Sequence, residues 1–148
     1  MINSLRIVLC LIAAVLAGSA IAAQFETFGD YTIHYSAFTT DVLSAEIAKS
    51  YGIARSKNRA LLNISILKQA MGASGTPIHA AVKVTATNLS AQLRELEVRE
   101  LEEPGAVYYL AETGVKHGEV LTFKVEVTPS GGSTSYNFSF QQPFVTDY

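Results

Sequence analysis

From residue 24 onward, apolar and polar side chains alternate along much of the chain, the two-residue period of a strand with one buried face. Tyr31, Ile33, Tyr35 and Ala37 alternate with Thr32, His34 and Ser36, and a short run from Gln24 to Phe28 before Gly29 and Asp30 reads as an edge strand. Within residues 60–68, Leu62, Ile64 and Ile66 face one way, Asn63 and Ser65 the other. Within residues 78–89, Ala80, Val82, Val84 and Ala86 oppose His79, Lys83, Thr85 and Thr87. The clearest strand is 120–128, with Leu121, Phe123, Val125 and Val127 inward. Further strands are predicted at 107–112 and at 134–142, where Tyr136, Phe138 and Phe140 alternate with Asn137 and Ser139.

Two stretches are less regular. Residues 72–77, rich in glycine and closed by Pro77, read as a loop. Residues 93–101 fit either period: Leu96 and Val98 alternate with Glu95, Glu97 and Arg99, while Leu93, Leu96 and Leu101 suit a helix face. Lying between two strands at hairpin spacing, the segment is assigned as one strand.

One helix interrupts the strands, at residues 44–51. Ser44 supplies an N-cap, Glu46 lies near the positive end of the dipole, and Gly52 provides a left-handed stop. Barely two turns long, it needs a sheet to dock on.

About seven short strands with polar outer faces predict an all-β fold, an immunoglobulin-like antiparallel β-sandwich with one short connecting helix. The chain lacks tryptophan and a cysteine pair, so the assignment rests on strand number and period, and a small closed barrel is the competitor.

Much of the hydrophobicity sits in the first two dozen residues. Arg6 is followed by the apolar run Ile7 to Leu16 and then by Ala17, Gly18, Ser19 and Ala20, the order of a secretory signal peptide. With Ala20 and Ala22 at the small-residue positions, cleavage is expected after Ala22, dividing the chain into a leader, 1–22, and a single domain, 23–148. A spanning helix needs roughly 20 apolar residues; this run barely supplies them, so no membrane span is expected after cleavage. The one cysteine, Cys10, follows Leu9 inside the apolar run, unlike a lipoprotein cysteine. The mature domain is therefore expected to be thiol-free and periplasmic. Removing Arg6 leaves acidic side chains in slight excess, and no basic stripe is present, which argues against nucleic acid as a partner.

Chemistry is sparse. His34 and His79 fall on polar strand faces and His117 in a turn, with no short ligand spacing and no acidic residue accompanying them. Neither a metal nor a cofactor is expected from them. No G-x-S-x-G elbow occurs, although a triad assembled from distant positions stays open. Arg55, Lys57, Asn58 and Arg59 crowd one turn, where they could receive an anionic ligand or an acidic partner. The plainer reading is a solvated turn, and the acidic stretch Glu95 to Glu103 reads as an edge guarded by charge. The aromatic close, Phe144 to Tyr148, resembles the end of an outer-membrane barrel, but Lys83, Lys124, Glu126 and Asn137 occupy what would be a lipid face.

The run Tyr51 to Asn63, with Leu93-Arg94-Glu95-Leu96 and Phe140-Gln141-Gln142-Pro143-Phe144, resembles a family of small exported gammaproteobacterial proteins, domain of unknown function 4426. The resemblance implies a periplasmic β-sandwich and assigns no activity or catalytic residues. The expected function is a non-catalytic binding or protein-interaction module. Its partner would be another envelope protein or an anionic ligand. The alternatives are an envelope enzyme with a loop-assembled site and a purely structural envelope protein.

Overall fold

A computed structural model describes residues 24–146. β1 (Gln24–Phe28) turns tightly into β2 (Tyr31–Thr39). A 3-10 turn (Thr40–Val42) leads to α1 (Ala45–Tyr51). There follow β3 (Arg59–Ala70), β4 (Ala73–Pro77), β5 (Ala80–Asn88), β6 (Leu93–Leu96) and β7 (Val98–Glu103). β8 (Ala106–Gly114), β9 (Val120–Pro129) and β10 (Tyr136–Pro143) complete the described chain.

The strands form two antiparallel sheets. One runs β1-β2-β3-β8-β7 with β4 paired to β3; the other runs β10-β9-β5-β6. The two sheets form a sandwich, as the one-sided alternation implies, and not a barrel. Inward side chains meet between them: Ile33, Ile64 and Ile66 from the first sheet, Val84, Phe123 and Val127 from the second. Aromatic rings fill the middle, with Tyr35 4.8 Å from Phe138 and 4.4 Å from Phe140, and Phe123 stacked on Phe140 at 5.2 Å. Phe144 joins this core, edge-on to Phe123.

The first sheet is also buried on part of its outer face. Leu61 and Leu110 form a second small cluster with Ile53, covered by Phe38, Leu43 and Tyr51. This is why Ala60, Leu61 and Leu62 are all apolar: successive residues point to opposite faces, and both faces are dry there. α1 is built as its sequence implies. Ser44 Oγ accepts from the Ile47 N–H at 3.2 Å, and Gly52 closes the helix at φ 66°.

Three expectations are corrected. The described residues hold ten strands, not about seven. The expected loop at 72–77 contains β4, an edge extension paired to β3. The single strand expected at 93–101 is two strands in different sheets, β6 on β5 and β7 on β8, with only Glu97 between them. Period could not expose the crossing, because Leu96 and Val98 both pack against the same core from either side of it. The leader at 1–22, with Cys10, and the terminal Tyr148 lie outside the described residues.

Candidate functional site

The crossing from β6 to β7 creates the most chemically organised place on the molecule. β7 runs along the first sheet opposite β8, with Glu100 paired to Tyr109. Alternation puts Glu100 and Glu102 on the face of β7 that Val98 turns to the core. At this margin their carboxylates meet His79, which directly precedes β5 in the second sheet.

A relay of hydrogen bonds orders the group. The Ala80 N–H donates to Tyr109 Oη at 2.7 Å, and the Tyr109 hydroxyl donates to Glu100 Oε2 at 3.0 Å. Glu100 Oε1 lies 2.9 Å from His79 Nδ1. An ionised carboxylate can only accept, so Nδ1 carries the proton in this contact. The other ring nitrogen, Nε2, faces Glu102 Oε1 at 3.9 Å. His79 and Glu102 are exposed, with half of the His79 side chain open to solvent. Tyr109 is only 3% exposed; its burial, helped by the bond to Glu100, pushes its hydroxyl up to about 12.

An imidazole fixed through Nδ1 by a carboxylate, with Nε2 directed outward beside a second carboxylate, is the arrangement that orients histidine toward a metal. The ligand atoms of His79, Glu100 and Glu102 all lie within 4.8 Å of one another. The expectation that no acidic residue accompanies the histidines is thus corrected. The carboxylates stand more than twenty positions downstream, and only the sheet crossing brings them in. The one sequence signal was the i, i+2 pair Glu100 and Glu102, which shares a strand face.

The basic turn is arranged differently. Arg55, Lys57 and Asn58, in the link from α1 to β3, and Arg59, the first residue of β3, are all exposed. The Arg55 guanidinium donates to the Asp41 carbonyl at 2.8 Å, and Arg59 reaches Glu112 at 3.4 Å. Asn58 accepts from the Val115 N–H through its backbone carbonyl. Arg55 and Arg59 are therefore aimed at different neighbouring parts of the fold.

A third polar group is structural. Arg94 donates to Glu119 at 2.6 Å and to the Gly114 carbonyl at 2.7 Å, while Asn88 and the Lys116 N–H also donate to Glu119. Burial alone would raise the Glu119 carboxyl, but these donors outweigh it and hold the group below its ordinary value. They tie β6 and β8 to the turn before β9.

His34 lies on the outer face of β2, with its ring 5.7 Å from Phe25. His117 Nδ1 accepts from the Thr146 N–H at 3.1 Å. Neither histidine belongs to the His79 group. Two hollows lie elsewhere too. One of about 470 Å³ sits on the outer face of the four-stranded sheet by Lys83 and Lys124, and an apolar one of about 550 Å³ lies beside Val42 and Val145.

The fold and site together define an immunoglobulin-like β-sandwich with a histidine–carboxylate cluster at one sheet margin. Residues 25–147 match the domain of unknown function DUF4426, and the chain belongs to that family. A DUF4426 protein from Pseudomonas aeruginosa PAO1 is 31% identical, with a TM-score of 0.72, covering 85% of this chain and 97% of its own. FetP from uropathogenic Escherichia coli strain F11 shares the fold at 10% identity, with a TM-score of 0.60, covering 85% of this chain and 95% of that one. A copper-bound variant of FetP aligns at 11% identity and a TM-score of 0.58, covering 84% of this chain and 96% of its own. No curated protein matches the chain.

Proposed function

We propose that this protein is an exported, periplasmic binding module that holds a divalent transition-metal ion between His79 and Glu102 without catalysis of its own. The observation that carries the reading is the orientation of His79: Glu100 occupies Nδ1 and leaves Nε2 facing Glu102 at 3.9 Å. Metal–ligand bonds of about 2.0–2.2 Å place neighbouring ligand atoms roughly 3 Å apart. A small rotation of the exposed Glu102 side chain closes the difference. Imidazole with carboxylate suits zinc or copper(II), and the open side leaves room for water or a ligand from a partner. The copper-bound FetP variant supports the compatibility of this sandwich with a metal. Among the described residues no hydroxyl is hydrogen-bonded to the His79 ring, which favours binding over nucleophilic chemistry. The basic start, apolar run and small-residue close of residues 1–22 support export, with 23–148 as the mature domain.

The test is equilibrium dialysis of the purified protein against zinc and copper(II). One ion per chain is expected, lost in His79→Ala and kept in His34→Ala. Glu100→Gln should weaken binding about 10–100-fold, as loss of an orienting carboxylate does. Equal metal content in wild type and His79→Ala would sink the assignment.

A further inference from the structure

The two margins of the sandwich differ in kind. On one side, β6 and β7 are both edges, and they carry Arg94, Glu95, Arg99, Glu100, Glu102 and Glu103. Charge of this density blunts an edge against further pairing. On the other side, β10 is an edge of eight residues, Tyr136 to Pro143, without a single charged side chain. Among the described residues it pairs only with β9, so the backbone groups on its other side have no strand opposite. Nothing in its sequence supplies the usual protection until Pro143 at its end.

The side chains of β10 are also complementary to themselves. Phe138 and Phe140 turn inward and pack on the core; Asn137, Ser139 and Gln141 are exposed on the other face. An antiparallel copy related by a two-fold axis through Ser139 would set Ser139 against Ser139, Asn137 against Gln141 and Phe138 against Phe140. Asn137 with Gln141 then joins amide to amide and Phe138 with Phe140 aromatic to aromatic, while Tyr136 would face Gln142. Such cross-strand pairs are the stabilising unit of a sheet. No like charges would oppose one another, and Pro143, with no N–H to donate, would end the pairing.

We propose that β10 is a self-association edge, through which two copies of this chain join their four-stranded sheets into one continuous antiparallel sheet. A two-fold interface of this kind uses the same patch on both partners and closes on itself, so it yields a dimer and not a fibre. The interface lies on the margin away from β7 and is independent of the metal assignment.

The experiment is sedimentation equilibrium of the full chain with a chelator present, so that a shared metal cannot join two molecules. Wild type should sediment at the dimer mass. Ser139→Lys and Ser139→Glu each place like charges directly opposite across the axis and should each be monomeric, with circular dichroism showing that both are folded. Mixing the two variants should restore the dimer, since lysine then faces glutamate. A monomeric wild type, a dimer indifferent to both substitutions, or a mixture that stays monomeric, including one in which β10 pairs only with strands of other proteins, would overturn the proposal.

Discussion

Tyr109 does more than fill space. Its ring is in the core, yet its hydroxyl takes the Ala80 N–H and holds Glu100, so packing and site geometry converge on one side chain. Tyr109→Phe leaves that N–H without its acceptor and should cost about 1–3 kcal/mol of stability, read from urea unfolding. The pH dependence follows from linkage. Because the folded hydroxyl titrates at about 12 and the unfolded one near 10, the folded state keeps a proton that the unfolded state sheds. The stabilisation is complete below pH 10 and is lost as pH rises from 10 towards 12. Wild type should therefore lose stability across that window more steeply than Tyr109→Phe; equal slopes would show that another group governs alkaline unfolding. At this scale the sequence was least informative. Tyr109 and Val107 look alike in an alternating pattern, and nothing local says that one of them ends on a carboxylate nine residues away. The same blindness hid His79, whose partners are defined by which sheet β7 joins.

At the scale of elements, legibility tracked how local the determinants are. α1 could be bounded to the residue, because its cap and its left-handed stop are both written within its own sequence. β2 and β9 were equally plain from their alternation. β4 was not, since glycine, serine and proline argue against a strand. Gly75 explains its exception: a Cβ there would lie 2.8 Å from Leu67 Cβ and 2.9 Å from Gln69 Nε2, so the missing side chain is what lets β4 approach β3. Gly75→Ala should strain that pairing and destabilise by about 1–3 kcal/mol, as overpacking does. Thermal melting of the variant provides the check, and an unchanged midpoint would mean that β4 contributes nothing to the folded state.

For the whole molecule, the class of fold was legible and the placement of strands within it was not. Periodicity says how many faces are buried but not which sheet a strand enters, so two sheets could be foreseen while the transfer from β6 to β7 could not. That one-residue transfer constrains how the domain opens. β6 completes the sheet containing β9, and β7 completes the sheet containing β3; Glu97 alone separates them. Neither layer has slack at this margin, so the sandwich cannot part there like the covers of a book without unpairing both edges at once. Amide protons in the middle of β3 and of β9 should therefore exchange with deuterium through one shared opening of equal free energy. Distinct opening energies for the two strands would show that the layers come apart separately. A domain stitched in this way has no half-open form: its two layers are made and lost together.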